Sequence, residues 1–186
     1  MTIDRFNFVQ GIKNSLTRKR QAVDIFQMEG RYPIVQLWRG GKLIHEEAIN
    51  NGITNEGKNF IFDCMFNSAT QSGSSSWVIG IIDSSGYSAL NVTDTMASHS
   101  TWTEFTGYSQ TTRVAWGQST SSGQTVTNGS PATFDFTATG TLQGIFITNV
   151  ATKSATTGKL WSTGLFSSTV PVVSGDELKI TYAVSA

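Results

Sequence analysis

The chain reads as a mainly β protein, an antiparallel β-sandwich with one short helix and an N-terminal arm and hairpin. Three observations carry that reading. Short apolar stretches recur from Trp77 onward, and several alternate apolar with polar residues, as in Phe134/Phe136 and Leu178/Ile180/Tyr182. Turn signals separate them, among them Gly140, Gly158 and Ser174-Gly175-Asp176. A Gly40-Gly41 pair stands between two further β-like runs, where positive φ at both positions suits a type I′ hairpin turn. Many short strands between turns argue for two packed antiparallel sheets. No repeat at a fixed period is visible, which excludes a solenoid or propeller.

Along the chain, 1–21 holds Arg5, Lys13, Arg18, Lys19 and Arg20 against Asp4 and has few apolar residues. Ile12 and Leu16 permit a short helix there, and an extended arm fits equally; either needs a neighbour to order it. Residues 22–28 (AVDIFQM) read as a strand. The hairpin follows at 33–39 and 42–48, with Ile34, Gln36 and Trp38 on one face and Val35, Leu37 and Arg39 on the other.

Asn50-Asn51-Gly52 reads as a turn. Thr54 or Asn55 then caps a helix over about 55–67, with Glu56 near its positive end and Phe60, Ile61, Cys64 and Met65 at helical spacing. A Ser-rich stretch follows at 68–76. Strands are expected near 77–83, 111–117, 132–138, 141–150, 159–166 and 177–184. The long link 84–110 carries a helical turn at 93–98 and the aromatic group Trp102, Phe105 and Tyr108.

Charge divides the chain unevenly. Residues 1–58 hold nine of the thirteen Lys/Arg and six of the thirteen Asp/Glu, so the front is +3 and the remainder −3. Charged residues make up only 14% of the chain, below the usual quarter, which suits a surface covered by partners. One cysteine excludes an internal disulfide framework. The opening residues lack a secretory pattern and no apolar run reaches spanning length, so synthesis in a cytoplasm and no membrane span are expected.

Chemistry-bearing residues do not converge in the sequence. His45 and His99 are isolated, and a metal centre needs several ligands together. Cys64 sits on the apolar face of the helix and reads as a core thiol, since no histidine pairs with it by sequence. Asp83, Asp94, Glu104 and Asp135 lie on separate segments, and no spacing selects a catalytic pair among them. Phosphate-loop, dinucleotide, metalloprotease and nucleophile-elbow motifs are missing from the sequence. No cofactor, no metal and no enzymatic activity are therefore expected.

Binding is the remaining class. Arg5, Lys13 and the Arg18-Lys19-Arg20 run can dock on an acidic protein face, bind nucleic acid or face water. No basic stripe extends beyond them, so protein docking is carried forward as the expectation. Trp77, Trp116 and Trp161 lie in apolar runs and read as core. Trp102, with Phe105 and Tyr108, reads as an exposed aromatic surface.

Residues 50–186 resemble a family of tailed-bacteriophage capsid decoration, or cement, proteins. The resemblance is carried by NNGITNEGKNFIFD at 50–63, WVIGIIDSSGYSAL at 77–90, DTMASHSTWTEFTGYS at 94–109, TRVAWG at 112–117, GSPATFDFTATGTLQGIFI at 129–147 and LWSTGLFSSTVPVVSGDELKITYAV at 160–184. It implies a jelly-roll-like sandwich at 50–186, with an anchoring arm and hairpin at 1–49. It also implies a virion location on the outer capsid surface, where the protein ties major capsid protein subunits together. Further copies of the chain, as dimer or trimer, are expected partners; a membrane and nucleic acid are not. No catalytic residue is implied. The alternative is a tail or collar component, or a carbohydrate-recognising virion module using Trp102, Phe105 and Tyr108.

Overall fold

The computed structural model describes residues 27–186. The basic arm with Arg5, Lys13, Arg18, Lys19 and Arg20, and most of the strand expected at 22–28, lie outside the described residues. Gln27 and Met28 enter as irregular chain.

The hairpin forms as expected. β1 (Glu29–Arg39) and β2 (Lys42–Ile53) are joined by Gly40 and Gly41, with φ of +56° and +79°. A Cβ at either glycine would meet nothing within 4 Å, so it is backbone freedom that selects glycine here. Val35 and Leu37 form the buried face of β1, while Ile34 on the opposite face is exposed.

β2 does not stop at Asn50. Its last residues pair with a distant strand, Asn51 opposite Gly164 and Ile53 opposite Ser162, and the Asn51 amide donates to the Tyr182 hydroxyl at 3.1 Å. Those long-range partners override the local turn propensity of Asn-Asn-Gly. β2 thus runs on past residue 49 and ties the hairpin to β9.

α1 (Asn55–Phe66) begins where the capping residues place it, and β3 (Val78–Asp83) follows after a single 3-10 turn at Ser74–Ser76. The remaining strands are β4 (Glu104–Phe105), β5 (Val114–Ala115), β6 (Thr125–Thr127), β7 (Ala132–Asp135), β8 (Gly140–Thr148), β9 (Leu160–Val172) and β10 (Asp176–Ser185). The strand expected over 111–117 shrinks to two residues. Arg113 turns inward to an ion pair, and Gly117 leaves the extended region at φ +66°. The helical turn expected at 93–98 is instead a tight turn bridged between Thr95 and Ser98.

All strand pairings are antiparallel. One layer runs β2–β1–β10, with β6 and β7 side by side along the outer edge of β10. The other runs β2–β9–β8–β3, with β4 and β5 on β3. β2 serves both, pairing β1 along most of its length and β9 through Asn51–Ile53. The sheet therefore curls through β2 into a sandwich-like fold. Val35, Leu37, Phe134, Leu178 and Ile180 from one layer meet Ile79, Ile81, Leu142, Ile145 and Val172 from the other in the main core.

The second layer is buried on its back as well. Ile82, Phe146 and Leu160 pack there against Met96 and Trp102 from the 84–110 link. This is why β3 reads as a continuous apolar run instead of an alternation. Among the described residues no helix is long and apolar enough to cross a membrane.

Candidate docking surface

α1 is fastened at its start and open at its end. Thr54 caps it, its Oγ1 accepting from the Gly57 amide at 3.0 Å and donating to the Leu160 carbonyl. Glu56 in the first turn accepts from the Leu160 amide at 2.8 Å and from the Met96 amide at 3.3 Å. Gly57 lies against β9 so closely that a Cβ there would stand 2.6 Å from the Trp161 carbonyl oxygen. The N-terminal turn thus has no room to shift.

Beyond that turn the helix parts from the sheet. Phe60, Ile61 and Cys64 face the sandwich and are half-buried. Between them and the sheet lies a groove of about 460 Å³, walled also by Met28, Trp77, Trp116, Trp161, Val126 and Val184. Phe60 meets Trp77 edge-on at 6.1 Å, and Trp77 meets Trp161 at the same separation. The polar ends of two indoles are already engaged: Trp161 Nε1 donates to the Tyr182 hydroxyl at 2.8 Å, and Trp116 Nε1 to Asn128 Oδ1 at 3.0 Å. Those two rings offer carbon to the groove, and its character is apolar.

Large apolar side chains also stand exposed on α1, among its exposed polar residues Asn55, Lys58, Asn59 and Asp63, and one of them, Met65, borders the groove. Phe62, Met65 and Phe66 are 59%, 68% and 78% exposed, with the two phenyl rings 6.4 Å apart. Cys64, expected in the core, is only half-buried and forms part of the groove wall, because the groove stays open beside it.

The exposed aromatic surface expected at Trp102, Phe105 and Tyr108 is corrected: all three are buried. Trp102 is 1% exposed, donates from Nε1 to Asp94 Oδ2 at 3.0 Å and stacks on His99 at 3.9 Å. Phe105 packs edge-on against Phe136 and Tyr108 against Phe134. Lys153 caps Tyr108, its ammonium 3.6 Å from the ring centre. Burial drives the Tyr108 phenol well above its ordinary pKa. These aromatics close the back of the β8–β3 layer and the edge of the core. The unbroken apolar run of β3 was the sequence signal that something must cover it.

The titratable groups are engaged locally. His45 Nε2 lies 2.9 Å from Glu47 Oε1 on the same strand face. Asp83 accepts from the Ser85 amide, and Asp135 from Gln110. Glu104 forms a bidentate pair with Arg113, and Asp176 another with Arg39. That guanidinium, with the Val173 amide, holds the Asp176 carboxyl below the usual range against the opposing effect of its burial. Sequence reasoning missed both pairs, since Arg39 and Asp176 are 137 positions apart and nothing local links them. Among the described residues no three His, Cys, Asp or Glu converge on a point that would hold a metal.

The described surface therefore offers exposed apolar side chains on α1 and an apolar groove beneath it. No protein-family model matches this chain, and no curated protein matches it.

Proposed function

We propose that this chain is a virion structural protein that binds the outside of a phage capsid and cements the shell by bridging major capsid protein subunits. The observation that carries this reading is the exposed apolar face of Phe62, Met65 and Phe66 on a helix anchored to a stiff sandwich. Apolar side chains gathered on a rigid element are the makings of a protein contact. The family resemblance of residues 50–186 points the same way. In this reading the jelly-roll-like body resists shear and packs on the shell and on its own copies. The basic segment with Arg5, Lys13, Arg18, Lys19 and Arg20 extends contact to a neighbouring subunit. A ligand that binds only the assembled shell stabilises it by mass action.

The carbohydrate-recognising alternative loses its platform with the burial of Trp102, Phe105 and Tyr108. A tail or collar location uses the same helix face and differs in where the copies sit. Imaging of particles incubated with the purified protein separates the two: copies across the head support the cement reading, and copies confined to the tail overturn it. Replacing Phe62, Met65 and Phe66 together by Ser is expected to weaken binding to purified heads by more than tenfold, since each buried large apolar side chain is worth about 1.5–3 kcal/mol. Unchanged binding refutes the role of that face. Deleting residues 1–21 tests the arm in the same assay.

A further inference from the structure

We propose that two copies of this chain pair face to face through α1, with Phe62 and Phe66 of each copy seated in the groove of the other. A two-fold contact uses one surface twice, so that surface has to carry both a projection and the hollow that receives it. Here both stand on one helix. Phe62 and Phe66 project from α1, the groove opens on its sheet side with Ile61 and Cys64 in the wall, and the exposed Met65 borders it. The first turn of α1 is fixed against β9 through Thr54, Glu56 and Gly57, so projection and hollow keep a set spacing. In the pair the two α1 helices lie side by side and antiparallel between the sandwiches, each over the open part of the other's groove.

Charge selects the occupant. Among the described residues the groove lining holds no charged side chain, and its polar groups are the amides of Gln71 and Gln118 beside the Cys64 thiol. The stretch Phe60–Phe66 carries a single charge, Asp63, and its last turn has no basic residue. A charged partner would lose its water there without gaining a counter-ion. Interface cores are rich in aromatic residues and Met and poor in charge, and a second α1 brings that composition. The area is sufficient as well. Phe62 and Phe66 leave roughly 250 Å² of side chain in water. Seated, they cover a similar area of wall, so each copy buries roughly 500 Å² through these contacts, the larger part of the ~800 Å² a side that a stable interface takes. Met65 and the flanking Lys58, Asn59 and Asp63 supply the rim. Pairing rests on the reading of Phe62, Met65 and Phe66 as a protein contact, and a joined pair of bodies reaches two shell subunits at once.

The test is sedimentation velocity of the isolated full chain from low to high micromolar concentration, alongside maleimide labelling of Cys64, the sole cysteine, which lies in the groove wall. The native chain is expected to sediment as a dimer, with labelling that slows as concentration rises. Phe66→Ser is expected to raise the dissociation constant at least tenfold, since every dimer loses two seated rings, and to free the labelling rate from concentration. Phe66 is exposed in the single chain, so its replacement leaves the body folded; matching thermal melts of the two proteins when dilute check this. A native chain that stays monomeric, a trimer or larger ring, or a dimer indifferent to Phe66→Ser overturns the pairing. A dimer that leaves Cys64 labelling unchanged also overturns it, because the copies then join through another surface. Should the native chain be monomeric while the Phe62/Met65/Phe66 serine variant still loses binding to purified heads, the face belongs to the shell: the pairing fails and the cement reading stands.

Discussion

The guanidinium of Arg113 grips the carboxylate of Glu104 through two bonds, Nε to Oε1 at 3.0 Å and Nη2 to Oε2 at 2.9 Å, with the two side chains only 1% and 4% exposed. Arg113 Nη1 also donates to the Val150 carbonyl at 2.8 Å, and the Ser154 amide donates to Glu104. The pair thus ties β4, the approach to β5 and the loop after β8 together. Removing one partner leaves a charge buried alone. Arg113→Met is expected to destabilise the fold by about 3–5 kcal/mol, and the double variant Glu104→Gln/Arg113→Met by clearly less. Urea denaturation of the three proteins measures this; a double variant as weak as the single refutes the uncompensated-charge account.

Arg39 and Asp176 give the fold an acid dependence. Hydrogen bonding to Arg39 lowers the folded-state pKa of Asp176 below its unfolded value of about 3.9. The unfolded state therefore takes up the proton first as pH falls. The stabilisation is fully present above the unfolded pKa and is lost as pH drops through the folded one. Asp176→Asn is expected to be less stable than the native chain at pH 7, with the difference shrinking below about pH 4. Urea midpoints at pH 7, 4 and 2.5 follow the trend; a constant difference refutes it.

Thr54 joins the N-terminus of α1 to β9 through one hydroxyl, which accepts from Gly57 and donates to Leu160. Thr54→Ala removes both bonds and is expected to cost about 1–2 kcal/mol. Because α1 walls the groove, maleimide labelling of Cys64 rises in the same variant. Thermal melting together with labelling reads both, and loss of stability with unchanged labelling shows that α1 stays seated without its cap.

Trp102 is a structural residue. Trp102→Ala opens a cavity behind β3 and is expected to cost about 3–5 kcal/mol. Trp102→Phe keeps most of the packing and removes the indole donor, leaving Asp94 Oδ2 with the Asn91 amide at 3.0 Å, and costs about 0.5–1.5 kcal/mol. A glycan array with the native chain is expected to show no signal that either substitution removes. A sugar signal lost in Trp102→Phe at unchanged stability refutes the structural role.

Local signals were legible where their partners lie close in sequence. Gly40-Gly41 announced its hairpin because positive φ is a property of the residue itself. Thr54, Glu56 and the spacing through Cys64 announced α1 because a cap and a helical stripe are complete within a few turns. Asn50-Asn51-Gly52 misled, since pairing with β9 across more than a hundred residues outweighed the turn propensity. Trp102, Phe105 and Tyr108 misled for a related reason: a loop aromatic reads as exposed until one knows which sheet face lacks cover.

The sequence by itself determined the β class, the hairpin, the capped helix and the scatter of its titratable groups. These depend on composition, period and backbone freedom, which act over short stretches. Only the tertiary structure decided that β2 joins both layers, that the 84–110 link seals the back of β3, and that Glu104 meets Arg113 in the interior. It alone decided that α1 keeps Phe62, Met65 and Phe66 in water above an open groove. Burial is a relation between a face and whatever covers it, and the covering residues come from distant parts of the chain.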